Sequence, residues 1–394
     1  MAAAEGARKA APRSVTAYRI PFNRPSAVGG EFELMRQALD GGHISGDGQF
    51  SRRCEAVLEQ SLGVERALLT TSCTHALELA ALLLEIKQGD EVVVPSFAFV
   101  STAVAFVLRG ARIVFADVHP TTLNIDETQL ASLISERTKA IVPLHYAGIG
   151  CEMQAIGPLA ERHAIAVVED NAHGLYGRYR GRLLGTFGMA AAQSFHETKN
   201  FTCGEGGALL LNDSALARRA EVIREKGTNR CAFFRGEVDK YTWVDVGSSY
   251  VLSDLLAAFL MAQLERRKTV QERRKRIWHR YDDELRVWAR EVGATLPHVP
   301  DHCEQPYHMY YVLLPSLRYR SALIEHLKRR GILAVFHYVP LHLSQMGQSF
   351  GGKRGQCPVA EDVSDRLLRL PFFAELTPSE QDEVVEAIIE FDGT

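Results

Sequence analysis

One lysine and one aspartate stand out in this sequence because their types and spacing could perform chemistry. Lys199 lies at the centre of a polar stretch that runs from Gln193 to Gly207. Asp170 ends an apolar run that begins at Ala164, which is typical of a buried parallel strand that delivers an acid to its carboxyl end. An amine that forms a Schiff base needs burial or neighbours that lower its pKa. A solvated surface charge is the ordinary alternative for any lysine, and Asp170 is the observation that favours chemistry here.

A third element is the passage from a short strand into an apolar helix within residues 67–84. The small polar residues of this passage, Thr74 among them, lie where the free N–H groups of a helix start would favour an anion. An ordinary helix cap is the alternative. A carboxylate at a strand end, a lysine on a following loop and a phosphate-binding helix start are together what pyridoxal 5′-phosphate (PLP) requires.

One aromatic residue could add a stacking face to such a site. Phe99 follows the predicted strand Glu91–Pro95 at its carboxyl exit, where it could stack on an aromatic ligand. A phenylalanine of the hydrophobic core is the commoner outcome for such a residue. Dinucleotide binding is the rival for this kind of sheet, but no Gly-x-Gly-x-x-Gly follows the first strand.

The elements that must position these residues alternate between strand and helix. Predicted strands end at Asp117, His145 and Asp170, each separated from the next by a helical segment, which indicates an α/β sheet that is mostly parallel, with its ligand site at the carboxyl ends of the strands. We predict a large α/β domain with an N-terminal arm at residues 17–260 and a smaller α+β domain at residues 261–394.

The predicted small domain follows an irregular segment, residues 227–249, and a helix that starts at Ser253 and continues as a charged helix to Arg280. A helix of this kind commonly bridges two domains. The remaining predicted elements are strands at Tyr307–Leu314 and Ile332–Tyr338, a helix at Ser321–Arg330 and a last helix from Ser379.

Composition excludes several classes of function. The chain has 394 residues and a formal net charge of −3, with its charges interspersed, which argues against nucleic acid or an anionic membrane as the partner. No apolar run is long enough to span a bilayer. Seven cysteines without metal-ligand spacing predict free thiols in the cytoplasm and no metal site. We interpret residues 1–16 as a disordered tail, with a targeting segment as the alternative.

Several motifs of the chain occur in the order and spacing of a known family. They are Gly89-Asp-Glu-Val-Val-Val-Pro-Ser-Phe-Ala-Phe99, Asn124-Ile-Asp126, Glu169-Asp170-Asn-Ala-His173, and Ser194-Phe-His-Glu-Thr-Lys199 with Gly204-Glu-Gly-Gly207. On these motifs the chain resembles the sugar aminotransferases of the DegT/DnrJ/EryC1/StrS family from Tyr18 to Phe391. The resemblance implies a PLP-dependent transferase of fold type I, which is aspartate aminotransferase-like.

The resemblance also implies roles around the cofactor ring. Lys199 would hold PLP and move protons, and Asp170 would pair with the pyridinium nitrogen. Phe99 would stack on one face of the ring. His173, at a position where many members have glutamine, would lie near the ring and its 3-hydroxyl group.

The implied phosphate site is less complete. Ser194 and the amides of Thr74 and His75 would bind the phosphate. In the family an asparagine also reaches the phosphate across a dimer interface, but Gly247-Ser-Ser-Tyr-Val251 stands at that place in this chain. Ser249 is therefore the predicted substitute, and the resemblance implies a homodimer with its sites at the subunit interface.

Within the family the chain is most similar to members that make dTDP-4-amino-4,6-dideoxy-D-galactose. The stretches that carry this similarity include Phe195-His-Glu-Thr-Lys-Asn200, Arg224-Glu-Lys-Gly-Thr-Asn-Arg230 and Ala334-Val-Phe-His-Tyr-Val-Pro-Leu-His342. The implied reaction moves the amino group of L-glutamate to C4 of dTDP-4-dehydro-6-deoxy-D-glucose and leaves 2-oxoglutarate.

Three alternatives stay open at this point. The chain could aminate C3 or another nucleotide keto-sugar of the same family. It could be a keto-sugar dehydratase, although relatives that dehydrate carry histidine at the position of Lys199. It could also be a non-catalytic regulator with this fold, although the Asp170 and Lys199 pair argues against a pure scaffold.

Substrate contacts are predicted in two places. The irregular segment contains the cations Arg230, Arg235 and Lys240, and Lys226 directly precedes it. These four could meet a nucleotide diphosphate, with a solvated charged loop as the equal alternative. In the small domain, His308, His337 and His342 could face the sugar, and histidines with a purely structural role are the alternative.

Overall fold

A seven-stranded sheet lies at the centre of the structure, which is a computed structural model that describes residues 18–393. The predicted disordered tail, residues 1–16, lies outside the described residues. In chain order the first nine strands are β1 (Arg66–Thr70), β2 (Glu91–Pro95), β3 (Arg112–Ala116), β4 (Thr138–Ile141), β5 (Ala166–Asp170), β6 (Arg178–Tyr179), β7 (Arg182–Leu183), β8 (Ala190–Ser194) and β9 (Gly207–Leu211).

The central sheet is mixed but mostly parallel. Its strand order is β1-β9-β8-β5-β4-β2-β3. Neighbouring strands pair in parallel along the part of this order that contains β8, β5, β4, β2 and β3. Strand β9 runs antiparallel to both β1 and β8. The two short strands β6 and β7 form a separate sheet with β10 (Cys303–Glu304). The predicted α/β fold with a mostly parallel sheet is confirmed.

Helices cover both faces of this sheet because its strands are apolar on both sides. They are α1 (Glu31–Asp40), α2 (Gln49–Leu62), α3 (Cys73–Leu83), α4 (Ser101–Val107), α5 (Glu127–Leu133), α6 (Met153–Arg162) and α7 (Ser214–Arg224). Leu77 and Ala80 of α3 pack on one face of the sheet with Val94 of β2. Ile156 of α6 packs on the other face with Val93.

The predicted irregular segment, residues 227–249, contains one short helix, α8 (Arg230–Phe234), and is otherwise without regular structure. The predicted helix that follows it is two helices, α9 (Asp254–Glu265) and α10 (Arg267–Val292). Ser253 caps α9 by accepting a hydrogen bond from the Leu256 N–H. The chain leaves helical geometry at Arg266, where α9 ends.

The predicted small domain is built on a core of its own, in which Trp278 and Tyr281 of α10 pack with Leu323 and Phe373. Its elements are β11 (Tyr311–Leu313), α11 (Leu317–Arg329), α12 (Gln345–Ser349), α13 (Pro358–Arg366), β12 (Leu367–Arg369) and α14 (Pro378–Ile389). The domain division after residue 260 remains a prediction; Met261 and Val270 pack with α2 in the core of the predicted large domain.

Two predicted strands of the small domain need correction. The strand predicted at Ile332–Tyr338 is wrong as a regular strand, because only its residues Ile332 and Val335 form bridge pairs. The strand predicted at Tyr307–Leu314 is shortened to β11, and Tyr307 has a left-handed backbone with φ 53°, which an extended strand cannot contain. Both segments therefore present side chains from irregular backbone.

No helix within residues 18–393 is long and apolar enough to cross a membrane.

Candidate active site

A cavity of about 910 Å³ lies at the carboxyl ends of β2, β5 and β8, with the small domain forming its other wall. This is where ligands bind in open α/β sheets. Eight of the residues singled out from the sequence line it, namely Thr74, Phe99, Asp170, His173, Ser194, Lys199, His308 and His337. The fold thus brings together side chains that are up to 263 residues apart, from Thr74 to His337.

Lys199 lies on the loop between β8 and β9, and its side chain is half-buried at the wall of the cavity. A short turn holds the loop: the Lys199 N–H donates to the His196 carbonyl at 2.9 Å and the Glu197 N–H to the Gly204 carbonyl at 2.8 Å. Burial lowers the pKa of Lys199 to about 8, against the opposing effects of Cys73 and Asp170. Among residues 18–393, no carboxylate oxygen lies within the 4.0 Å ion-pair distance of its amine. Its amine is therefore available for chemistry near neutral pH.

Asp170 ends β5, and its carboxylate is buried. One oxygen accepts a hydrogen bond from the Thr102 hydroxyl at 2.7 Å and the other from the Ala172 N–H at 3.2 Å. Burial raises the pKa of Asp170, although these two hydrogen bonds and the charge of Lys199 act against it. Within the described part of the chain this carboxylate has no ion-pair partner within 4.0 Å. Because a buried charge without a partner is costly, the Asp170 carboxylate is suited to pair with a cationic group of a ligand.

The neighbouring acid, Glu169, points to the opposite side of β5 because side chains alternate along a strand. Its carboxylate accepts from the backbone N–H groups of Gly185, Phe187 and Gly188 at 2.7–2.8 Å and pairs with His145 Nε2 at 2.8 Å. The backbone N–H of His145 donates to the backbone carbonyl of Asp170 at 3.2 Å. Glu169 therefore fixes the strand end from which Asp170 projects.

The start of α3 forms one end of the cavity. Ser72 caps this helix by accepting from the His75 N–H at 3.1 Å, so the amides that precede it, those of Cys73 and Thr74, are the ones open to an anion. Gly207 permits this arrangement, because a Cβ there would lie 2.4 Å from the Cys73 nitrogen. Of the two amides predicted from sequence, that of Thr74 is open and that of His75 is occupied by Ser72.

Three histidines line the cavity, His173 from the large domain and His308 and His337 from the small domain. The rings of His173 and His308 stack with centroids 4.3 Å apart, and His337 Nδ1 lies 2.7 Å from the Tyr146 hydroxyl. Burial lowers the pKa of all three imidazoles well below its usual value, and the charges of Lys199 and Arg369 lower it further. All three rings are therefore neutral at pH 7.

The third histidine predicted near the sugar, His342, has a structural role instead. It is fully buried between the Ser96 hydroxyl, 2.5 Å from its Nδ1, and Glu361, 3.0 Å from its Nε2. It is absent from the cavity lining.

Phe99 stands at the cavity with 56% of its surface exposed, and its ring lies 6.2 Å from that of Tyr338. An aromatic residue this exposed in a single chain is not a core phenylalanine. Its position leaves a ring face available to a planar ligand.

Besides His75, His342, Lys226 and Arg235, three more residues predicted from sequence do not line the cavity in the single chain, namely Ser249, Arg230 and Lys240. Ser249 is exposed and its backbone pairs with Glu225. Arg230 Nη1 contacts the Glu225 carboxylate at 3.2 Å, and Lys240 is exposed. The roles of these residues in binding phosphate or nucleotide remain predictions.

Sequence reasoning did not single out several residues that line the cavity, and four of them come from distant parts of the chain. Phe22 and Asn23 come from the N-terminal arm, Tyr338 from an irregular segment and Arg369 from the end of β12. None carries a local signal of function. Asn23 holds the lysine loop by donating to the Glu197 carbonyl at 3.1 Å, a contact between residues 174 positions apart that no local pattern reveals.

The residues present fit PLP. The cofactor has a ring nitrogen that becomes cationic, an aldehyde that reacts with an amine, and a phosphate. The cavity offers a buried carboxylate without a cation, an amine of lowered pKa without an acid, and open amides at a helix start. His173 Nδ1, which is buried and without a hydrogen-bond partner, is a further polar atom that a ligand would satisfy.

Comparison with known proteins agrees with this arrangement. The profile of the DegT/DnrJ/EryC1/StrS aminotransferase family matches residues 26–389. Spore coat polysaccharide biosynthesis protein SpsC of Bacillus subtilis (strain 168) is 33% identical over 377 residues, which cover 94% of this chain and 96% of SpsC.

Solved structures agree as well. The putative sugar aminotransferase Spr1654 from Streptococcus pneumoniae, in its apo form, is similar with a TM-score of 0.87 and 26% identity, over 94% of this chain and 97% of that one. The same protein matches in its PMP and PLP forms. Helicobacter pylori PseC, an aminotransferase involved in pseudoaminic acid biosynthesis, has a TM-score of 0.86 and 27% identity, over 94% of this chain and 98% of PseC.

Proposed function

Since the chain belongs to the DegT/DnrJ/EryC1/StrS aminotransferase family, we propose that it transfers the amino group of L-glutamate to C4 of dTDP-4-dehydro-6-deoxy-D-glucose. The products are dTDP-4-amino-4,6-dideoxy-D-galactose and 2-oxoglutarate. The coarser activity follows from the family and its solved members: the protein is a PLP-dependent sugar aminotransferase of fold type I. One observation carries the proposal that its chemistry takes place in this cavity: the same cavity is lined by Lys199 and by the buried Asp170, and neither has an ion-pair partner within the described residues.

When bound, PLP supplies an electron-withdrawing ring and carries the amino group from one substrate to the other. Asp170 is the residue that would hold the proton of the ring nitrogen, because it is the buried carboxylate that lacks a cation. The Cys73 and Thr74 amides and the Ser194 hydroxyl would hold the phosphate. His173 would donate or accept a hydrogen bond near the ring through its unpartnered Nδ1.

Lys199 has a second task after holding the cofactor, which is to move a proton at the carbon that loses or gains the amino group. A general base works best when its pKa lies near the working pH, and burial lowers the pKa of Lys199 to about 8.

The identity of the sugar rests on the family resemblance and on the size of the cavity. The stretches around Phe195, Arg224 and Ala334 resemble enzymes that make the C4-amino sugar, and the relative SpsC is described as a polysaccharide biosynthesis protein. A cavity of about 910 Å³ is of the size that accommodates a ligand as large as a nucleotide sugar. Amination at C3, or of another nucleotide keto-sugar, is the second candidate.

We also propose that the protein works as a homodimer, with Ser249 of one copy completing the phosphate site of the other. The support is the exposed apolar surface of the irregular segment, where Phe234, Tyr241 and Trp243 are 69%, 53% and 77% exposed. Patches of this kind mark interaction surfaces. Phe99 and Val100 extend exposed apolar surface to the mouth of the cavity.

A cytoplasmic location is part of the proposal. All seven cysteines of the chain are free thiols in the structure, the state that a reducing compartment maintains.

The test is amination of dTDP-4-dehydro-6-deoxy-D-glucose by the PLP-loaded protein with L-glutamate, followed by NMR of the sugar product. We expect nitrogen at C4 in the galacto configuration and one 2-oxoglutarate for each amino sugar. Nitrogen at C3 would refute the regiochemistry and favour the second candidate. Undetectable turnover across nucleotide keto-sugars, together with tight binding to another protein, would overturn the enzymatic role in favour of a regulator.

A further inference from the structure

One histidine of the cavity has two ring nitrogens in different surroundings. The backbone of this residue, His308, is held by the buried Arg274, which donates to the carbonyls of Tyr307 and His308. Its ring stacks on that of His173, with centroids 4.3 Å apart and planes inclined by 18°. The ring of His308 therefore has a fixed position in the wall of the cavity.

Asn200, the residue after Lys199, contacts one nitrogen of this ring. Its buried side chain places Nδ2 2.6 Å from the Pro306 carbonyl oxygen and 3.1 Å from Gln271 Oε1. Its Oδ1 lies 3.0 Å from His308 Nδ1. A backbone carbonyl can only accept a hydrogen bond, so the atom that faces Pro306 is the amide nitrogen. The atom that faces His308 is therefore the amide oxygen.

This arrangement determines which nitrogen of His308 is protonated. An amide oxygen has no hydrogen, so Nδ1 must have the proton and donate it to Asn200. Burial lowers the pKa of His308 well below its usual value, and no carboxylate within residues 18–393 forms an ion pair with the ring. The ring thus has a single proton, on Nδ1, and its Nε2 presents a lone pair.

The Nε2 atom of His308 is the nitrogen that is open to a ligand. Within the described part of the chain it has no hydrogen-bond partner. It is not fully enclosed by protein, in contrast to His173 Nδ1, and the ring lines the same cavity as Lys199. The cavity therefore contains a hydrogen-bond acceptor that lacks a donor.

We propose that Asn200 fixes His308 as a hydrogen-bond acceptor, and that His308 Nε2 accepts from the keto-sugar hydroxyl on the carbon next to the one that gains the amino group. The inference rests on the proposed function, because it takes one substrate to be a keto-sugar. His308 is then a residue that determines specificity for the sugar. Asn200 is a positioning residue that acts through His308.

A lone pair distinguishes the two substrates of the proposed reaction. The carboxylates of an α-amino acid have no hydrogen at pH 7 and can only accept hydrogen bonds, so they are repelled by a second acceptor. A sugar hydroxyl has a hydrogen to donate. His308 Nε2 therefore favours the sugar over the amino donor.

The place of the ring indicates which hydroxyl it meets. Lys199 must reach the carbon that gains the amino group, and Asn200, which follows Lys199 directly, contacts His308. The charge of Lys199 also acts on His308 and contributes to its lowered pKa. The sugar hydroxyl closest to the reacting carbon is the one on the neighbouring carbon. In a 4-keto-6-deoxy sugar this is the C3 hydroxyl, because C5 has none.

The first test measures the position of the proton. Nitrogen-15 NMR of the PLP-loaded protein, labelled at histidine, distinguishes a protonated ring nitrogen from one with a lone pair. The signals of His308 are identified by their absence in His308→Asn. We expect the proton on Nδ1 at pH 7 in the wild type. In Asn200→Leu, which offers no acceptor, the proton should be shared between Nδ1 and Nε2.

The second test uses a variant that separates the acceptor from the structural contact. In His308→Asn the side-chain amide can replace Nδ1–H as the donor to Asn200, but nothing replaces Nε2. His342→Asn makes the same change at a buried histidine outside the cavity and serves as the matched control. Circular dichroism establishes that each variant is folded, and Asn200→Leu provides a second variant if His308→Asn does not fold.

The measurement is calorimetric binding of dTDP-6-deoxyglucose and of its 3-deoxy counterpart to the PLP-loaded proteins. Neither ligand has a keto group, so neither can be aminated. We expect the wild type to bind the 3-deoxy ligand about three- to tenfold more weakly, the value of one neutral hydrogen bond. The difference should fall below about twofold in His308→Asn, be reduced in Asn200→Leu and stay at the wild-type value in His342→Asn. Because the two ligands are compared within one variant, a general loss of affinity cancels.

Three results would overturn the inference. They are a proton on Nε2 of His308 in the wild type, wild-type affinity that is equal for the parent ligand and for its 2-, 3- and 4-deoxy counterparts, and a full hydroxyl preference in His308→Asn. Failure of the proposed C4 regiochemistry gives a different pattern. An enzyme that aminates C3 would lose affinity for the 2-deoxy or 4-deoxy ligand in place of the 3-deoxy one, and His308→Asn would still abolish that loss.

Discussion

The two walls of the cavity are built in different ways. The large-domain wall, which we define as Asp170, Ser194 and Lys199, stands on strand ends of the central sheet and on the loop after β8. The small-domain wall, defined as His308, His337 and Arg369, stands mostly on irregular backbone. Within residues 18–393, the first contains an acid and an amine that lack ion-pair partners, and the second contains neutral rings and one cation that lacks an ion-pair partner.

This difference indicates that the two walls have different functions. A sheet edge holds its residues at fixed separations, which suits a cofactor that never changes. In the proposed function the small-domain wall accepts two substrates in turn, an amino donor and a keto-sugar, and its neutral imidazoles can donate or accept hydrogen bonds to either. We therefore expect variants of the first wall to affect both substrates and variants of the second to affect one.

The strongest test of the large-domain wall within this comparison is Asp170→Asn, which removes the charge and keeps the shape. We expect kcat to fall about 10²- to 10³-fold with both substrates, the usual effect of removing one preorganised electrostatic group. Steady-state kinetics with each substrate varied in turn measures this.

Thr102→Val is a milder variant that affects the same carboxylate. It keeps the charge of Asp170 but removes the hydroxyl that donates to it at 2.7 Å, so kcat should fall only about five- to tenfold. A loss confined to one substrate in either variant would contradict the assignment of Asp170 to the cofactor.

His337→Phe tests the small-domain wall. It preserves a ring beside Tyr338 but leaves the buried Tyr146 hydroxyl without its partner at 2.7 Å, which costs about 1–3 kcal/mol. We expect kcat/KM for the keto-sugar to fall about tenfold while the affinity for PLP stays within about twofold. Substrate kinetics and PLP titration measure the two quantities.

The matched control is His342→Phe, which breaks a comparable buried pair with Ser96 outside the cavity. It should lower the melting temperature and leave the KM for the keto-sugar unchanged. If the two variants behave alike, His337 has only a structural role.

The same division explains how much could be predicted from the sequence. Asp170 and Lys199 were identifiable because an apolar strand that ends in an acid has a local signature, and so was the helix start at Thr74. Arg369 was not, because it enters the cavity from a strand 170 positions after Lys199 in a stretch of ordinary small-domain sequence. Contacts between distant irregular segments leave no periodic pattern.

Errors in the fold prediction have the same origin. The apolar run from Ile332 reads as a strand, yet its residues pair only at isolated bridges with Ile20 and Arg369, because tertiary contacts override local propensity. The short helix α8 was also missed inside the irregular segment. The interface role of Ser249 depends on a second copy of the chain and could be inferred only through the family resemblance.

The smallest effect that we predict concerns pH. In the proposed function the neutral amine of Lys199 is the form that captures PLP, and burial lowers the pKa of this amine to about 8. The neutral fraction therefore rises from about one tenth at pH 7 to about one half at pH 8. PLP uptake by the cofactor-free protein should accelerate about fivefold over this interval and level off above it.

Stopped-flow absorbance follows this uptake, and the rate for N-acetyl-lysine serves as the reference for the titration of PLP itself. A protein rate that continues to rise tenfold for each pH unit up to pH 10 would show that Lys199 is not desolvated as described.

The measurement that tests the central claim most directly locates the cofactor on the chain. PLP-loaded protein is reduced with borohydride and digested, and the modified lysine is identified by mass spectrometry, with Lys199→Ala and the exposed-site variant Lys139→Ala as the comparison pair. We predict one pyridoxyl group on Lys199 in the wild type and in Lys139→Ala, and none in Lys199→Ala. A label on any other lysine, or a label that survives in Lys199→Ala, would contradict the assignment of this cavity as the active site.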